Sequence, residues 1–243
     1  MRKTLFQSSC EKVSEDDQPT ISIVIPTLDE EGSIGRTLDA IAVFSTRFEV
    51  IVVDGGSSDK TIEIARERGA KLIVSERGRG TQMHAGSCAA RGKVLWFLHA
   101  DTLPPADAIE LILESLSNEK VVGGSFDVRF DGRRFSAHFL CWFYRLLRRF
   151  GICYADAAIF VRREVYELTG GFKPFPIFED LDLVGRLRRV GQVARVASAV
   201  TTSSRRFESR SFFLTFAGWT FLQLLYWAGV DPKTLGKLYA PIR

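Results

Sequence analysis

Four short polar segments each follow directly on an apolar run: Pro26-Thr27-Leu28-Asp29-Glu30, Asp54-Gly55-Gly56-Ser57-Ser58-Asp59, Glu76-Arg77-Gly78-Arg79-Gly80 and His99-Ala100-Asp101. Each offers a distinct piece of ligand chemistry. A carboxylate such as Asp54, followed by Gly55 and Gly56, suits a ribose hydroxyl or a base N–H, because glycine lets the backbone come close and tolerates positive φ. Arg77 and Arg79 flank Gly78 just ahead of a helix start, where guanidinium forks and unpaired N–H groups both attract phosphate. Asp101 stands on the same rim. A phosphate beside it is tolerable when a divalent cation lies between them, and Mg²⁺ or Mn²⁺ is typically held by one or two carboxylates plus substrate phosphates. His99 is a second candidate ligand, or a residue that orients the loop. Each segment also has a plain structural reading. Asp-Gly is turn chemistry, Arg77 and Arg79 fit a solvated basic loop, and Asp101 or Thr102 can cap the next helix.

The surrounding pattern places these segments at strand tips. "ISIVIP", "FEVIVVD", "AKLIVS" and "VLWFLH" read as buried strands, and each is followed by a helical period. The helix "DKTIEIARERG" is expected to be capped by Ser58 or Asp59 and closed by Gly69. "TQMHAGSCAARG" should stop at Gly92, and "PADAIELILESL" is entered through Pro105. Such β-α-β-α repetition predicts an α/β fold with a parallel sheet covered on both faces. In open parallel sheets, ligands bind beyond the carboxyl ends of the strands. After Asn118 the pattern changes to a long strand "VVGGSFDVRF", a basic-ended helix "RFSAHFLCWFYRLLRRF", a strand running into a short helix, the helix "EDLDLVGRLRRVG" and the strand "QVARV".

The chain has 243 residues with a net charge of +4 and is 46% hydrophobic. That suits one large domain and an anionic small ligand, and demands no nucleic-acid partner. Four cysteines, Cys10, Cys88, Cys141 and Cys153, lack zinc or disulfide-framework spacing, as expected of a reducing compartment. His84 and His138 have no metal spacing either. Residues 1–19 are polar, read as a flexible tail, and show no signal peptide. Residues 20–243 are expected to form one domain: 20–118 the β-α-β-α half, 119–207 a half of mixed structure, and 208–243 a C-terminal apolar helix. The apolar segment Ser211 to Val230 carries no charge but is interrupted by Ser, Thr and Gln. It is compatible with a buried or dimer-forming helix, with in-plane membrane contact or, marginally, with a span. Arg145, Arg148 and Arg149 add a basic helix end that fits an anionic membrane surface. A cytoplasmic chain, peripheral on the inner face of the membrane, is the corresponding expectation.

The series "IPTLDEE", "VVDGGSSDKT", "RGRGTQMHAG", "LHADT", "GGF" and "FEDLDLVGRLRRVG" resembles the GT-A-type family 2 glycosyltransferases over roughly residues 20–243. It is most like a small bacterial subgroup of transferases found near radical-SAM gene clusters. The resemblance implies a GT-A fold and an inverting transfer from a nucleotide-diphospho-sugar to an acceptor hydroxyl, with a divalent metal. It implies that Pro26, Thr27, Leu28 and Glu30 line the base and ribose pocket and that Asp54, with Gly55, contacts the nucleotide. Arg77 and Gln82 would lie along the donor. "HAD" stands where the family carries its D-x-D metal motif, so Asp101 is the metal-linked carboxylate and His99 replaces the first acidic position. Asp180, with Glu179, matches the family's catalytic-base motif, and Asp182 falls on a different helix face. Asp29 replaces a frequent Asn. "YADAAIF" keeps Asp156 but has Ala157 in place of an amide, which bears on acceptor choice. Arg205 and Arg206 are further candidates for the diphosphate.

Three other readings compete. A nucleotidyltransferase would use the same carboxylates and metal, but its early loop is usually glycine-rich and basic, whereas "PTLDEEGS" is acidic. "RGRGTQMHAG" fails G-x-G-x-x-G at Met83 and follows the third strand, against a dinucleotide-binding dehydrogenase. A catalytically inactive nucleotide- or carbohydrate-binding relative would keep the fold without the chemistry.

Overall fold

A computed structural model describes residues 18–132, 135–150, 154–204 and 212–238. Its strands are β1 (Ile21–Thr27), β2 (Phe48–Asp54), β3 (Lys71–Val74), β4 (Val94–Phe97), β5 (Thr102–Leu103), β6 (Val121–Phe130), β7 (Phe160–Arg162) and β8 (Gln192–Thr202). They form one eight-stranded sheet in the order β3-β2-β1-β4-β7-β6-β8-β5. The helices are α1 (Ile34–Ile41), α2 (Thr61–Glu67), α3 (Arg79–Ala89), α4 (Ala108–Leu116), α5 (Phe135–Arg149), α6 (Arg163–Leu168), α7 (Glu179–Val190), α8 (Phe212–Trp227) and α9 (Pro232–Leu238). A 3₁₀ turn covers Ala155–Ala157.

The pairings decide what reaches the site. β1, β2, β3 and β4 run parallel, so their carboxyl ends share one rim. β7 is antiparallel to both β4 and β6, and β6 is parallel to β8. The start of β7 and the ends of β6 and β8 therefore join that same rim. α3 and α7 each precede a strand that leaves the opposite edge, so the N-termini of both helices also open onto it. The α/β expectation holds for the first half. In the second half, β7 is inserted against the parallel run, which no local pattern announces.

Buried Ile21, Ile23, Ile25 and Trp96 pack with α1 and α4 on one face of the sheet. Val24, Ile51, Val53, Leu95 and Phe97 pack with Met83 of α3 and Leu183 of α7 on the other. α3 lies almost on the sheet because Gly86 has no side chain: a Cβ there would sit 2.4 Å from Val24 Cγ1 and 2.8 Å from Val53 Cγ2. Both valines are fully buried and β-branched, so neither can swing away. Gly86→Ala is accordingly expected to destabilise the chain by about 1–3 kcal/mol through overpacking, read as a lowered urea midpoint at unchanged slope.

The opposite end of the sheet carries a pH-dependent clamp. Glu49 accepts hydrogen bonds from Ser22 Oγ at 2.7 Å and from the Arg91 backbone N–H at 2.5 Å. Burial pushes its carboxyl up, but these bonds and the Arg91 charge outweigh it and hold the group below its ordinary 4.5. The folded chain then binds this proton more weakly than the unfolded chain. The contribution is present above about pH 4.5 and is lost as pH falls through the folded value. Between about pH 6 and about pH 3, the urea midpoint of the wild type should fall more steeply than that of Glu49→Gln.

α8 and α9 close the chain. α8 packs on α5 through edge-on rings, Phe139–Phe212 at 5.8 Å and Phe143–Phe216 at 5.1 Å between centroids. No helix among the described residues is long and apolar enough to cross a membrane. The basic end of α5 is less available to a surface than its sequence implies. Arg148 is buried, pairs with Asp127 and donates to the Ser125 carbonyl at 3.0 Å, while Arg145 reaches the same Asp127 at 3.6 Å.

Candidate active site

The floor of the rim is built by the loops after β1 and β2, which are stitched together. The Asp29 N–H donates to Ser57 Oγ at 2.9 Å, and Ser58 N–H donates back to Asp29 Oδ1 at 2.8 Å. The Glu30 N–H donates to Thr61 Oγ1 at 2.7 Å and the Glu31 N–H to Asp59 Oδ2 at 3.0 Å. Asp59 accepts the Thr61 N–H at 2.9 Å, but the N-cap position of α2 falls on Lys60, not on Ser58 or Asp59 as expected from the sequence. Below these loops, the buried Gln82 amide donates to the Thr27 and Val53 carbonyls, both at 2.8 Å, pinning the ends of β1 and β2 to α3. Gly55 lets the chain pass close to this amide: a Cβ would lie 3.1 Å from it, a tight contact.

Asp54 is spent on its own turn. Its Oδ2 accepts from the Gly56 and Ser57 N–H groups at 2.8 Å each, its Oδ1 accepts from Ser57 Oγ, and the residue is buried. Gln82 and Asp54 thus shape the floor, and their polar atoms face protein. Pro26, Leu28 and Glu30 are half-buried at the rim, and Thr27 is buried.

A second cluster gathers around Arg79, at the start of α3. Its guanidinium Nε pairs with Glu179 Oε1 at the start of α7. A Cβ on Gly80 would sit 2.5 Å from the Lys173 carbonyl, so the small residue lets these two helix starts approach. Burial opposes the charge on Arg79, but Glu179, Asp180 and Asp156 together outweigh it and hold the guanidinium protonated. Asp180 and Asp156 also bear on Tyr154: burial first, then these two carboxylates, push its phenol well above the ordinary 10.0. Asp156 in turn pairs through Oδ1 with His99 Nδ1 at 3.1 Å and accepts from the Tyr144 hydroxyl at 3.3 Å. The tip of β4, the 3₁₀ turn before β7, and the starts of α3 and α7 therefore meet at one place.

Backbone strain marks the same rim. Among the described residues, three non-glycine residues have φ in the left-handed region: Asp29 at 53°, Ala158 at 50° and Phe178 at 63°. Asp tolerates that conformation, but a bulky Phe does so only when the surroundings fix it. Phe178 is buried against Tyr226 of α8 at 4.9 Å between centroids, and it immediately precedes Glu179.

The expected site residues divide accordingly. His99, Glu179 and Asp180 come together, with Arg79, Asp156 and Tyr154. Glu179 is enclosed: its side chain is 1% exposed, and Oε2 is buried with no hydrogen-bond partner among the described residues. Arg79, expected at phosphate, is engaged by carboxylates, whereas Arg77 is exposed. Asp101 lines a separate small cavity of about 80 Å³ with Arg36, Asp131 and Ser203, on the α1 side of the β4 tip. Asp182 holds Arg186 at 2.6 Å and Lys173 at 3.2 Å, away from the cluster. His84 contacts the Tyr166 hydroxyl at 3.2 Å. Arg205 and Arg206 lie outside the described residues. Tyr154 had no sequence signal as a site residue. Asp156 had one, its place in "YADAAIF", but not its partner.

At the β4 tip, His99 offers the donor that suits a divalent cation, while Asp101 lines the separate cavity on the α1 side. His99 Nε2 is buried and has no hydrogen-bond partner among the described residues. With the ring proton on Nδ1 facing Asp156, Nε2 carries the lone pair, the carboxylate–histidine arrangement that orients metal-binding imidazoles. Asp101 lies two residues on. Among the described residues there is no group of three His, Cys, Asp or Glu that would hold an ion alone. An ion held there would take its remaining oxygens from substrate and water.

A family model described as Glycosyl transferase family 2 matches residues 22–169. The PGL/p-HBAD biosynthesis glycosyltransferase of Mycobacterium bovis BCG is 32% identical over 166 residues, which is 63% of each chain. The probable glycosyltransferase YdaM of Bacillus subtilis is 26% identical over 210 residues, 76% of this chain and 50% of that protein. The chain thus spans about half to two thirds of the length of these curated relatives. Among solved structures, glucosyl-3-phosphoglycerate synthase from Mycobacterium tuberculosis in complex with Mn²⁺ and uridine-diphosphate-glucose superposes with a TM-score of 0.57 at 23% identity. It covers 76% of this chain and 70% of that one. TarS 1–349 of S. aureus superposes with a TM-score of 0.60 at 15% identity, covering 77% and 61%. These likenesses extend the α/β assignment to the GT-A fold.

Proposed function

The chain belongs to glycosyl transferase family 2, and from that premise we propose that it moves a sugar from a nucleotide-diphospho-sugar to an acceptor hydroxyl with inversion, Asp180 serving as general base. The observation that carries the reading is the meeting of Asp180, Asp156, Arg79 and His99 on the carboxyl rim, beside the stitched β1 and β2 loops. The acceptor oxygen forms the new bond to the anomeric carbon and its proton passes to the Asp180 carboxylate. The bond from that carbon to the diphosphate breaks on the opposite face, and the electron pair leaves with the nucleoside diphosphate. Asp180 accepts the Leu181 N–H at 2.7 Å, so one oxygen is fixed by the helix start. Arg79 and Glu179 position α7 and keep Asp180 beside Asp156. In this role Glu179 is a positioning residue, since its carboxylate is enclosed.

The nucleoside lies over Pro26, Thr27, Leu28 and Glu30, on the floor held flat by Asp54, Gly55 and Gln82. Arg77, exposed on the loop before α3, lies along the donor in this reading; Arg205 and Arg206 are kept as further candidates for the diphosphate. Asp101 and His99 would hold Mg²⁺ or Mn²⁺, which supplies charge neutralisation at the departing diphosphate. Support comes from the unpartnered Nε2 of His99 and from the structural relative crystallised with Mn²⁺ and uridine-diphosphate-glucose.

A panel of UDP-, GDP- and dTDP-sugars, with and without Mn²⁺, tests this by release of nucleoside diphosphate. Metal-dependent release by the wild type that is lost in Asp101→Ala is the expected result. Release of pyrophosphate would replace the reading by nucleotidyl transfer. Thermal stabilisation by a nucleotide without turnover would replace it by a binding function.

A further inference from the structure

Between α5 and α8 lies a cavity of about 260 Å³ whose lining is almost wholly apolar. Leu140 and Phe143 of α5 and Phe216 and Trp219 of α8 form its sides. Its outer rim carries Leu224 and Trp227, each 55% exposed. Its inner end is closed by Tyr144, Tyr154 and Gln223, all buried. A pocket opening at one end and ending in buried polar groups is the usual form of a small-molecule site.

Two lining residues carry donors left without a hydrogen-bond partner among the described residues. Gln223 accepts the Tyr154 hydroxyl through Oε1 at 2.8 Å, but its Nε2 is buried with no hydrogen-bond partner. The indole Nε1 of Trp219 is likewise buried and unpartnered. A buried N–H left unmade is costly, so two of them in one apolar pocket point to an oxygen that arrives with a ligand. The wall they stand on is shared with the catalytic cluster: Tyr144 donates to Asp156, and Tyr154 feels both Asp180 and Asp156.

We infer that this cavity is the acceptor's binding site for an apolar group, and that the acceptor is an alcohol bearing an aromatic ring or short aliphatic chain with an oxygen held by Gln223 Nε2 and Trp219 Nε1. The inference rests on the transferase reading for the word acceptor, but the pocket itself does not. A 150 Å³ apolar cavity takes benzene, so this one accommodates about ten heavy atoms, a ring with a few carbons attached.

4-Butylphenol, added to the full chain, is the probe. Saturable one-to-one binding, followed by tryptophan fluorescence and calorimetry, is expected. Thr220→Trp, which places an indole at the mouth from an exposed position, should weaken it by at least about tenfold. Trp219→Phe, which keeps a ring but removes the N–H, should weaken it by about 3- to 10-fold. Stabilisation by UDP with Mn²⁺ should be the same in all three proteins, which separates failure of the pocket from failure of the nucleotide reading. With a donor that turns over, 4-butylbenzyl alcohol should raise nucleoside diphosphate release in the wild type and not in Thr220→Trp. Binding that ignores Thr220→Trp would overturn the site. Binding without stimulated release would overturn its assignment to the acceptor. Phosphatidylcholine vesicles identify the source of the chain: sedimentation of the wild type but not of Thr220→Trp assigns a bilayer lipid, and neither sedimenting assigns a free alcohol.

Discussion

Asp180→Asn is expected to lower sugar transfer by about 10²- to 10⁴-fold, the range lost when a positioned proton acceptor is removed. The substitution keeps the shape of the side chain, and its amide oxygen can still accept the Leu181 N–H. What it removes is the ability to take the acceptor's proton as the new bond forms. The loss should fall on kcat, because the nucleoside and diphosphate are held by other elements: the β1 and β2 loops, Arg77 and the β4 tip. UDP with Mn²⁺ should therefore stabilise the variant against heat as it does the wild type. Steady-state kinetics with the productive donor check both halves. A rate within about tenfold of wild type would remove Asp180 from the role of base. Asp156 is the nearest alternative in that event, because it faces the same Arg79 and Tyr154.

Arg79→Met should destabilise the chain by about 1–3 kcal/mol, because it leaves the buried Glu179 carboxylate uncompensated while solvent reaches the guanidinium, whose side chain is 32% exposed. Glu179 is 1% exposed, and its second oxygen has no hydrogen bond to fall back on. The exposed Arg68–Asp39 pair, at 2.8 Å, is the internal comparison. Removing Arg68 should leave the urea midpoint close to that of the wild type, since solvent already screens both groups. Adding Glu179→Leu to Arg79→Met should restore much of the loss, because a well-packed apolar pair of similar volume is often no worse than a buried ion pair. Urea unfolding of the single and double variants measures this directly. A cost below about 1 kcal/mol for Arg79→Met would mean that Glu179 is not held by that guanidinium.

The rim was legible in the sequence for a simple reason. Strands buried on both faces are continuously apolar, so the change to His99-Ala100-Asp101 or Asp54-Gly55-Gly56 marks where the chain leaves the sheet. Alternation with helical periods then makes neighbouring strands parallel and puts those ends together. The partners of the exposed groups were not legible. Arg79 and Glu179 are 100 residues apart, and nothing local tells an arginine before a helix whether it will meet phosphate or carboxylate. Asp54 closes on its own turn for the reason weighed from its sequence, that Asp-Gly is turn chemistry. β7 has only three residues, too few for a period, yet it carries the 3₁₀ turn with Asp156 to the rim. Phe178 in the left-handed region follows from packing against α8, which local propensity does not encode.

The most direct test is a crystal structure with UDP and Mn²⁺, using anomalous scattering to locate the metal. Manganese beside Asp101 and His99, with the diphosphate next to it and the uridine across the β1 and β2 loops, is the predicted result. Manganese and nucleotide bound elsewhere, with the rim empty at saturating concentrations, would contradict the account.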